Sequence, residues 1–196
     1  MLLAMIARLI TGADARWEGC APDTRQRIYF ANHTSNLDAL VIWASLPPTV
    51  RILTRPVAAR DYWEKNAWRR YLADQVFNAV LIQRKKPTAH DNPMSDMLAA
   101  LGDRHSLIIF PEGGRQSGEE ITPFKSGLFH LAKDRPDVEL VPVLIENLNR
   151  ILPKGEFLLV PLLGGVSFGP PMKLEKGETK DAFLNRAQEA IRSLQK

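Results

Sequence analysis

Short apolar runs alternate with helix-like patterns along this chain, and that alternation constrains its fold more than any other feature. Each run is rich in Val, Ile, Leu or Phe, as is typical of strands that are buried on both faces of a sheet. The runs are residues 28–31, 50–54, 79–83, 106–110, 140–145, 157–160 and 165–168. Strands separated by helices in this way predict an α/β fold, with a mixed, largely parallel central sheet flanked by helices.

Two of the intervening segments have clear helical signatures. Residues 92–101 have Asn92 as an N-cap and Pro93 at the first helical position, and Gly102 follows the last turn. Residues 181–194 place their apolar side chains on one helical face, namely Phe183, Ala187, Ala190, Ile191 and Leu194. Both segments are therefore predicted to be helices that pack on the sheet.

The whole chain, residues 1–196, is predicted to be one domain, because no linker, repeat or low-complexity stretch divides it. The formal net charge of +4 favours anionic partners such as phospholipid surfaces. Cys20 is the single cysteine, so an internal disulfide is excluded, and no Cys/His spacing suggests a metal site. We therefore expect no metal and no bound cofactor. The basic residues match no nucleic-acid recognition motif, so no nucleic-acid partner is expected.

Two segments are candidates for contact with a membrane surface. The first ten residues, MLLAMIARLI, are apolar but shorter than the roughly 20 residues that span a bilayer. An N-terminal helix within residues 1–20 either lies on a membrane or packs on the domain. Residues 61–74 predict a second helix with aromatic residues on one side and basic residues opposite, as on an interfacial helix. The alternative for this helix is that the aromatic side chains pack into the core.

His33 and Asp38 follow the first predicted strand, in the stretch IYFANHTSNLDALVIWASL over residues 28–46. Turn chemistry alone explains most of this stretch, because Ser35-x-x-Asp38 fits a capping box. It does not explain the histidine, which stands where ligands collect at the carboxyl ends of parallel strands. An imidazole can accept a proton at neutral pH, and a carboxylate on its other ring nitrogen would orient it. A base with its orienting acid is thus the functional alternative to a turn.

A second candidate site follows the strand at residues 106–110, in the sequence PEGGR. Two glycines let the backbone approach a ligand closely, and Arg115 carries a planar charged group that suits phosphate. The alternative is an ordinary Gly-Gly turn with solvated charges. Neither a Walker loop nor a dinucleotide fingerprint is present.

Four sequence blocks together resemble the glycerolipid acyltransferase family, which includes the 1-acyl-sn-glycerol-3-phosphate (lysophosphatidate) acyltransferases. They occur in the family's order within residues 28–145, so they form a motif-bearing core. The blocks are NHTSNLD at 32–38, VLIQR at 80–84, FPEGGR with FKSG at 110–115 and 124–127, and VPV at 141–143. The resemblance is far more specific than any one of the blocks.

The resemblance implies transfer of an acyl group from acyl-CoA or acyl-acyl carrier protein to a hydroxyl of a lysophospholipid. His33 would be the general base and Asp38 would orient it, with no acyl-enzyme intermediate. The remaining residues would bind the acceptor, and these are Arg84, Glu112, Gly113, Gly114, Arg115 and Lys125. Asn32, Pro111 and Pro142 would shape the site. The resemblance also implies peripheral attachment to the cytoplasmic face of a membrane.

Two other function classes stay open beside the transferase. One is a lipid-binding protein of the same fold without turnover, and the other is a hydrolase in which His33 activates water. The chain departs from the family pattern at Gly114, where Thr is common, and at residues 75–78, which lack a glycine. Both departures concern the acceptor pocket rather than the base.

Overall fold

A computed structural model of the chain describes residues 14–35, 37–83, 92–115, 120–146 and 165–195. The strands are β1 (Asp14–Trp17), β2 (Arg27–Ala31), β3 (Thr54–Ala59), β4 (Val80–Ile82), β5 (Ser106–Ile109), β6 (Glu139–Glu146) and β7 (Gly165–Phe168). The α-helices are α1 (Asp38–Ser45), α2 (Pro48–Arg51), α3 (Arg60–Trp63), α4 (Ala67–Tyr71), α5 (Pro93–Leu101), α6 (Gly127–Asp134) and α7 (Lys180–Arg192). A π-helix, Leu72–Val76, directly follows α4.

The seven strands form one sheet in the order β1-β7-β6-β2-β5-β3-β4. All neighbouring strands run parallel except β6 and β7, which are antiparallel. The predicted α/β fold with a largely parallel sheet is therefore confirmed. Strands β2 and β5 lie side by side at the centre, so their carboxyl ends meet at one edge of the sheet.

Both faces of the sheet are covered, which explains why its strands read as continuous apolar runs. In β2, Ile28 and Phe30 point into one core and Tyr29 and Ala31 into the other, and all four side chains are fully buried. Helices α5, α6 and α7 supply the first core through residues such as Leu101, Leu131 and Phe183. Helices α1 and α2 supply the second core through residues such as Val41, Ile42 and Val50.

The two helices with clear sequence signatures are confirmed. The Asn92 side chain accepts a hydrogen bond from the Met94 amide at 3.0 Å, and Gly102, whose φ is +45°, directly follows the last residue of α5. In α7 the Thr179 hydroxyl accepts from the Ala182 amide at 3.3 Å. Five predicted strands correspond to β2, β4, β5, β6 and β7. The strand predicted over 157–160 lies outside the described residues.

The strand predicted over residues 50–54 is wrong. Pro48 begins α2, and the Arg51 guanidinium donates to three backbone carbonyls at the end of α1, those of Trp43, Ala44 and Leu46. The strand begins only at Thr54, and it escaped prediction because TRPVAA is not an apolar run. The first half of β3 pairs with β5, and its second half pairs with β4. Neither half of the strand is fully buried.

The two candidate membrane segments also differ from their predictions. Residues 14–17, inside the expected N-terminal helix over 1–20, form β1, which pairs with β7 from the far end of the chain. Residues 1–13 lie outside the described part. Residues 61–74 form α3, α4 and the start of the π-helix instead of one continuous helix. Across the described ranges, no helix combines the length and apolar character that crossing a bilayer requires.

Candidate active site

The site lies where the loops after β2 and β5 meet at the carboxyl edge of the sheet. Phe30 of β2 pairs with Ile109 of β5 in the parallel sheet, so the loops that follow these two strands are in contact. The His33 ring stacks on the Phe110 ring, with centroids 4.2 Å apart and an angle of 22° between the planes. Two sequence blocks that are separated by about 70 residues are thus joined into one surface.

His33 and Asp38 form a hydrogen-bonded pair. The Nδ1 atom of His33 is 2.8 Å from Oδ2 of Asp38. Because a carboxylate can only accept, this contact assigns the ring proton to Nδ1 and leaves Nε2 as the basic nitrogen. The Asp38 side chain is fully buried, whereas the His33 side chain is 21% exposed. The pair therefore has the arrangement of a base held by a carboxylate, with one nitrogen left for a ligand.

The same carboxylate oxygen also organises the turn. Oδ2 of Asp38 accepts from the backbone amides of Thr34 at 2.7 Å and Ser35 at 2.9 Å. One half of the predicted capping box is present, since the Asp38 side chain accepts from the Ser35 amide. The other half is wrong, because the Ser35 hydroxyl accepts from the Leu37 amide instead, and no described side chain caps α1. Turn chemistry and orientation of the base are thus two effects of one buried acid.

Glu112 is buried beneath the site. Its Oε1 atom accepts from the backbone amide of His33 at 2.8 Å. Its Oε2 atom accepts from the hydroxyl of Thr122 at 2.6 Å and from the Thr122 amide at 3.3 Å. Both carboxylate oxygens are therefore occupied within the protein, and Glu112 joins the histidine loop to the chain that follows PEGGR.

The three residues expected to shape the site lie around its base. The Asn32 side chain donates to the carbonyl of Ile145 and accepts from the amide of that residue, at 2.9 and 2.8 Å. This clamps the loop after β2 to β6. Pro142 lies in β6 and pairs with Phe30 of the neighbouring strand β2. Phe30 is two residues before Asn32. Pro111 is buried, and its carbonyl accepts from the Lys125 amide at 2.8 Å.

Gly113 favours glycine because of its backbone conformation. Its φ is +74°, and its amide donates to the Phe110 carbonyl at 3.0 Å in a tight turn. A Cβ at this position would overlap the side chain of Lys125, which lies across the glycine. A Cβ on the neighbouring Gly114 would meet no heavy atom of the described residues within 4 Å. Only the first glycine of the pair is thus demanded by the local structure.

Arg115 and Lys125 supply positive charge on the wall of the site. Within the described residues, neither side chain has an ion pair with an acidic group. Arg84, the third cation expected here, lies outside the described residues. The two described cations can bind an anionic group such as a phosphate.

A cavity of about 790 Å³ opens beside His33. Its polar wall consists of His33, Gly113, Gly114, Arg115 and Lys125. The rest of the lining is mostly apolar and includes Val57, Leu72, Phe77, Ile82, Met97, Ile109, Leu128 and Leu131. Glu112 and Asp38 are absent from the lining, in keeping with their burial. The cavity can hold a molecule with one anionic end and one long apolar part.

Three groups of residues contribute to the site but were not assigned to it from the sequence. Phe110 stacks on the His33 ring, and the Thr122 hydroxyl donates to the Glu112 carboxylate. The apolar lining comes from β3, β4, β5, α5, α6 and the π-helix region, which no single sequence block connects. A third group, Tyr62, Trp63, Trp68 and Arg69, forms an aromatic rim. The amphipathic pattern over 61–74 was the only signal for that rim.

The cavity wall carries no serine, threonine or cysteine among its described residues. Cys20 lies beside the carboxyl end of β7, where its thiol donates to the Phe168 carbonyl at 3.6 Å. Burial raises the pKa of the Cys20 thiol, which disfavours the reactive thiolate. In the described part of the chain, no three His, Cys, Asp or Glu side chains are grouped to hold a metal ion.

We expect Gly113→Ala to lower the free energy of unfolding by about 1–2 kcal/mol, because an L-residue is strained at this φ. Gly114→Ala is the matched control, with an expected change within about 0.5 kcal/mol. Urea denaturation of both variants measures the difference. Equal stability of the two variants would contradict the assigned conformation of Gly113.

Comparison with known proteins identifies the family of this chain. The family model described as Acyltransferase matches residues 18–146, which include every described residue of the site. The 1-acyl-sn-glycerol-3-phosphate acyltransferase of Limnanthes douglasii is 27% identical over 168 residues, covering 85% of this chain and 57% of that protein. The Escherichia coli (strain K12) enzyme of the same name is 29% identical over 132 residues, covering 63% of this chain and 51% of its own length. The chain thus spans little more than half the length of these relatives.

A solved structure shares the fold. The crystal structure of the 1-acyl-sn-glycerophosphate (LPA) acyltransferase PlsC from Thermotoga maritima superposes with a TM-score of 0.75 and 19% sequence identity. The match covers 98% of this chain and 76% of that one. At this identity the superposition shows a common fold, while the family model covers most of the chain by sequence. The chain therefore belongs to the Acyltransferase family.

Proposed function

We propose that the protein transfers an acyl group from an acyl thioester to the free hydroxyl of a lysophospholipid. The observation that carries this proposal is the His33–Asp38 pair, whose imidazole lines a cavity with both cationic and apolar walls. A base beside a phosphate-binding wall suits an acceptor that carries a hydroxyl near a phosphate. An apolar wall suits fatty acyl chains.

In the proposed reaction, Nε2 of His33 removes the proton from the acceptor hydroxyl. The hydroxyl oxygen attacks the thioester carbonyl and forms a tetrahedral intermediate. Collapse of this intermediate breaks the carbon–sulfur bond, and the imidazolium returns its proton to the leaving thiolate. The products are a diacyl lipid and a free thiol. The buried Asp38 carboxylate stabilises the imidazolium during this sequence.

A direct transfer accords with the chemistry of the cavity wall. Its described lining offers no hydroxyl or thiol nucleophile of a serine, threonine or cysteine that could form an acyl-enzyme. General-base assistance of this kind contributes about 10²–10⁴ in rate. Holding the acceptor and the thioester in one cavity adds the advantage of proximity.

Lysophosphatidate is the acceptor that we propose. Arg115 and Lys125 can neutralise its phosphate, and curated relatives are named for 1-acyl-sn-glycerol-3-phosphate. We propose either acyl-CoA or acyl-acyl carrier protein as the donor, because both present the same thioester to the base.

Thiol release tests the proposal. The purified protein is given acyl-CoA or acyl-acyl carrier protein, with and without lysophosphatidate in detergent, and free thiol is measured. We expect release that depends on the acceptor and matches formation of phosphatidate. Release that is independent of the acceptor would identify a thioester hydrolase. No release with either donor over a range of lysolipids would favour a lipid-binding protein without turnover.

We expect Glu112→Gln to lower kcat by about tenfold or more, while KM for the acceptor changes little. The reason is that Glu112 holds the His33 amide and Thr122 and has no place on the cavity wall. Steady-state kinetics over a series of acceptor concentrations measures both constants.

Thr122→Val is the partner variant, since it removes one hydroxyl that donates to Glu112. It should lower kcat in the same direction but by less. A rise in KM with unchanged kcat in Glu112→Gln would instead make Glu112 an acceptor-binding residue, as the family resemblance implies.

A further inference from the structure

We propose that Trp68 and Tyr71 on α4 dock the protein on a bilayer surface that contains anionic phospholipid. This inference rests on the proposed function, because a membrane is the source of a lysophospholipid acceptor. The docking surface is defined here as Lys65, Trp68, Arg69, Arg70 and Tyr71, and it overlaps the rim of the cavity.

Large apolar side chains are rarely exposed in the described part of this protein. Those that are exposed are Ile52 at 77%, Trp68 at 68% and Tyr71 at 53%. The rings of Trp68 and Tyr71 stack, with centroids 5.9 Å apart and planes 21° from parallel. Helix α4 buries none of its side chains. An exposed aromatic pair on a helix without a core contact indicates an interaction surface.

The pair is continuous with the candidate active site. Trp68 and Arg69 line the same cavity as His33, so this short helix stands between solvent and the site. Asn66 caps α4 by accepting from the Arg69 amide at 2.9 Å, which stabilises the first turn of this helix. A lipid at the docking surface could reach the cavity along the aromatic rim without leaving an apolar environment.

The charges around the pair match a phospholipid surface. From residue 60 to residue 74 the chain has four cations and three acids, namely Arg60, Lys65, Arg69 and Arg70 against Asp61, Glu64 and Asp74. Nε of Arg70 lies 3.7 Å from Oδ2 of Asp74, on the outer surface of the same segment. The Arg69 guanidinium lies 4.5 Å from the centre of the Tyr62 ring, while Lys65 and Arg70 are exposed. Trp and Tyr favour the interfacial region of a bilayer, and Lys and Arg are attracted to anionic headgroups. This combination favours a lipid surface over an apolar protein partner.

Vesicle co-sedimentation of the full chain tests the inference. The vesicles are phosphatidylcholine alone or phosphatidylcholine mixed with phosphatidylglycerol. We expect the wild type to bind the mixed vesicles more strongly, and the double variant W68A/Y71A to lose about tenfold or more in binding. Ile52→Ala is the matched control, because Ile52 is also apolar and exposed but precedes the amino end of β3, whereas α4 follows the carboxyl end of that strand. This control should bind as the wild type does.

The outcomes separate this inference from the proposed function. Thermal unfolding of W68A/Y71A should stay within about 2 °C of the wild type, since α4 buries no side chain. Unchanged vesicle binding in the double variant would overturn the inference and assign membrane contact to another segment. A wild type that binds neither vesicle, or that forms a dimer abolished by W68A/Y71A, would also overturn it. Binding that depends on the pair in a protein without thiol release would keep the docking surface and reject the transferase.

Discussion

His33→Ala is expected to lower kcat for acceptor-dependent thiol release by about 10²–10⁴-fold. The variant removes the only imidazole on the described cavity wall and with it the proposed base for the acceptor hydroxyl. KM for the acceptor should change little, because the proposed phosphate-binding residues are Arg115 and Lys125. Steady-state thiol release with saturating acyl donor measures both constants.

His130→Ala is the matched control for this variant. His130 is exposed on α6 and is not on the cavity wall, so the His130→Ala variant should have the activity of the wild type. Circular dichroism should show the same helix and strand content for both variants. Undiminished acceptor-dependent release in a folded His33→Ala protein would exclude general-base catalysis by this residue.

Asp38→Asn is expected to lower kcat by about 10²-fold or more while the fold is retained. The amide oxygen can still accept from His33, Thr34 and Ser35, but the negative charge that stabilises the imidazolium is lost. Asp38→Ala should in addition lower the free energy of unfolding by about 1–3 kcal/mol for each backbone amide left without an acceptor. Kinetics and urea denaturation of the two variants separate charge from hydrogen bonding.

Ser45→Ala provides the control on the same helix. Its hydroxyl is buried in α1 and has no hydrogen-bond partner among the described residues, so its removal should change neither activity nor stability appreciably. If Asp38→Asn kept wild-type kcat, the carboxylate would act only on the turn. The capping explanation of this stretch would then be sufficient.

Part of the candidate site could be predicted because its residues are close in sequence. His33 and Asp38 are five positions apart, and such a pair meets whenever a turn leads into a helix. The conformation of Gly113 likewise depends on a local turn. Glu112 differs, because the family resemblance implies acceptor binding, while its observed partners are His33 and a threonine ten residues further on. Its role could be seen only once two strands had brought their loops together.

By itself, the sequence determined the α/β alternation, the two best helices and the local pairs of the site. Hydrophobic period, caps and turn residues act over a few positions, and each can be read from a short stretch. Only the tertiary structure decided the position of β1 beside β7, the division of β3 between two neighbours, and the break of residues 61–74 into separate helices. It also formed the cavity, whose wall combines residues from 33 to 131. Such features depend on which distant segments become neighbours, and long-range packing, unlike a cap or a turn, has no signature in the residues of one segment alone.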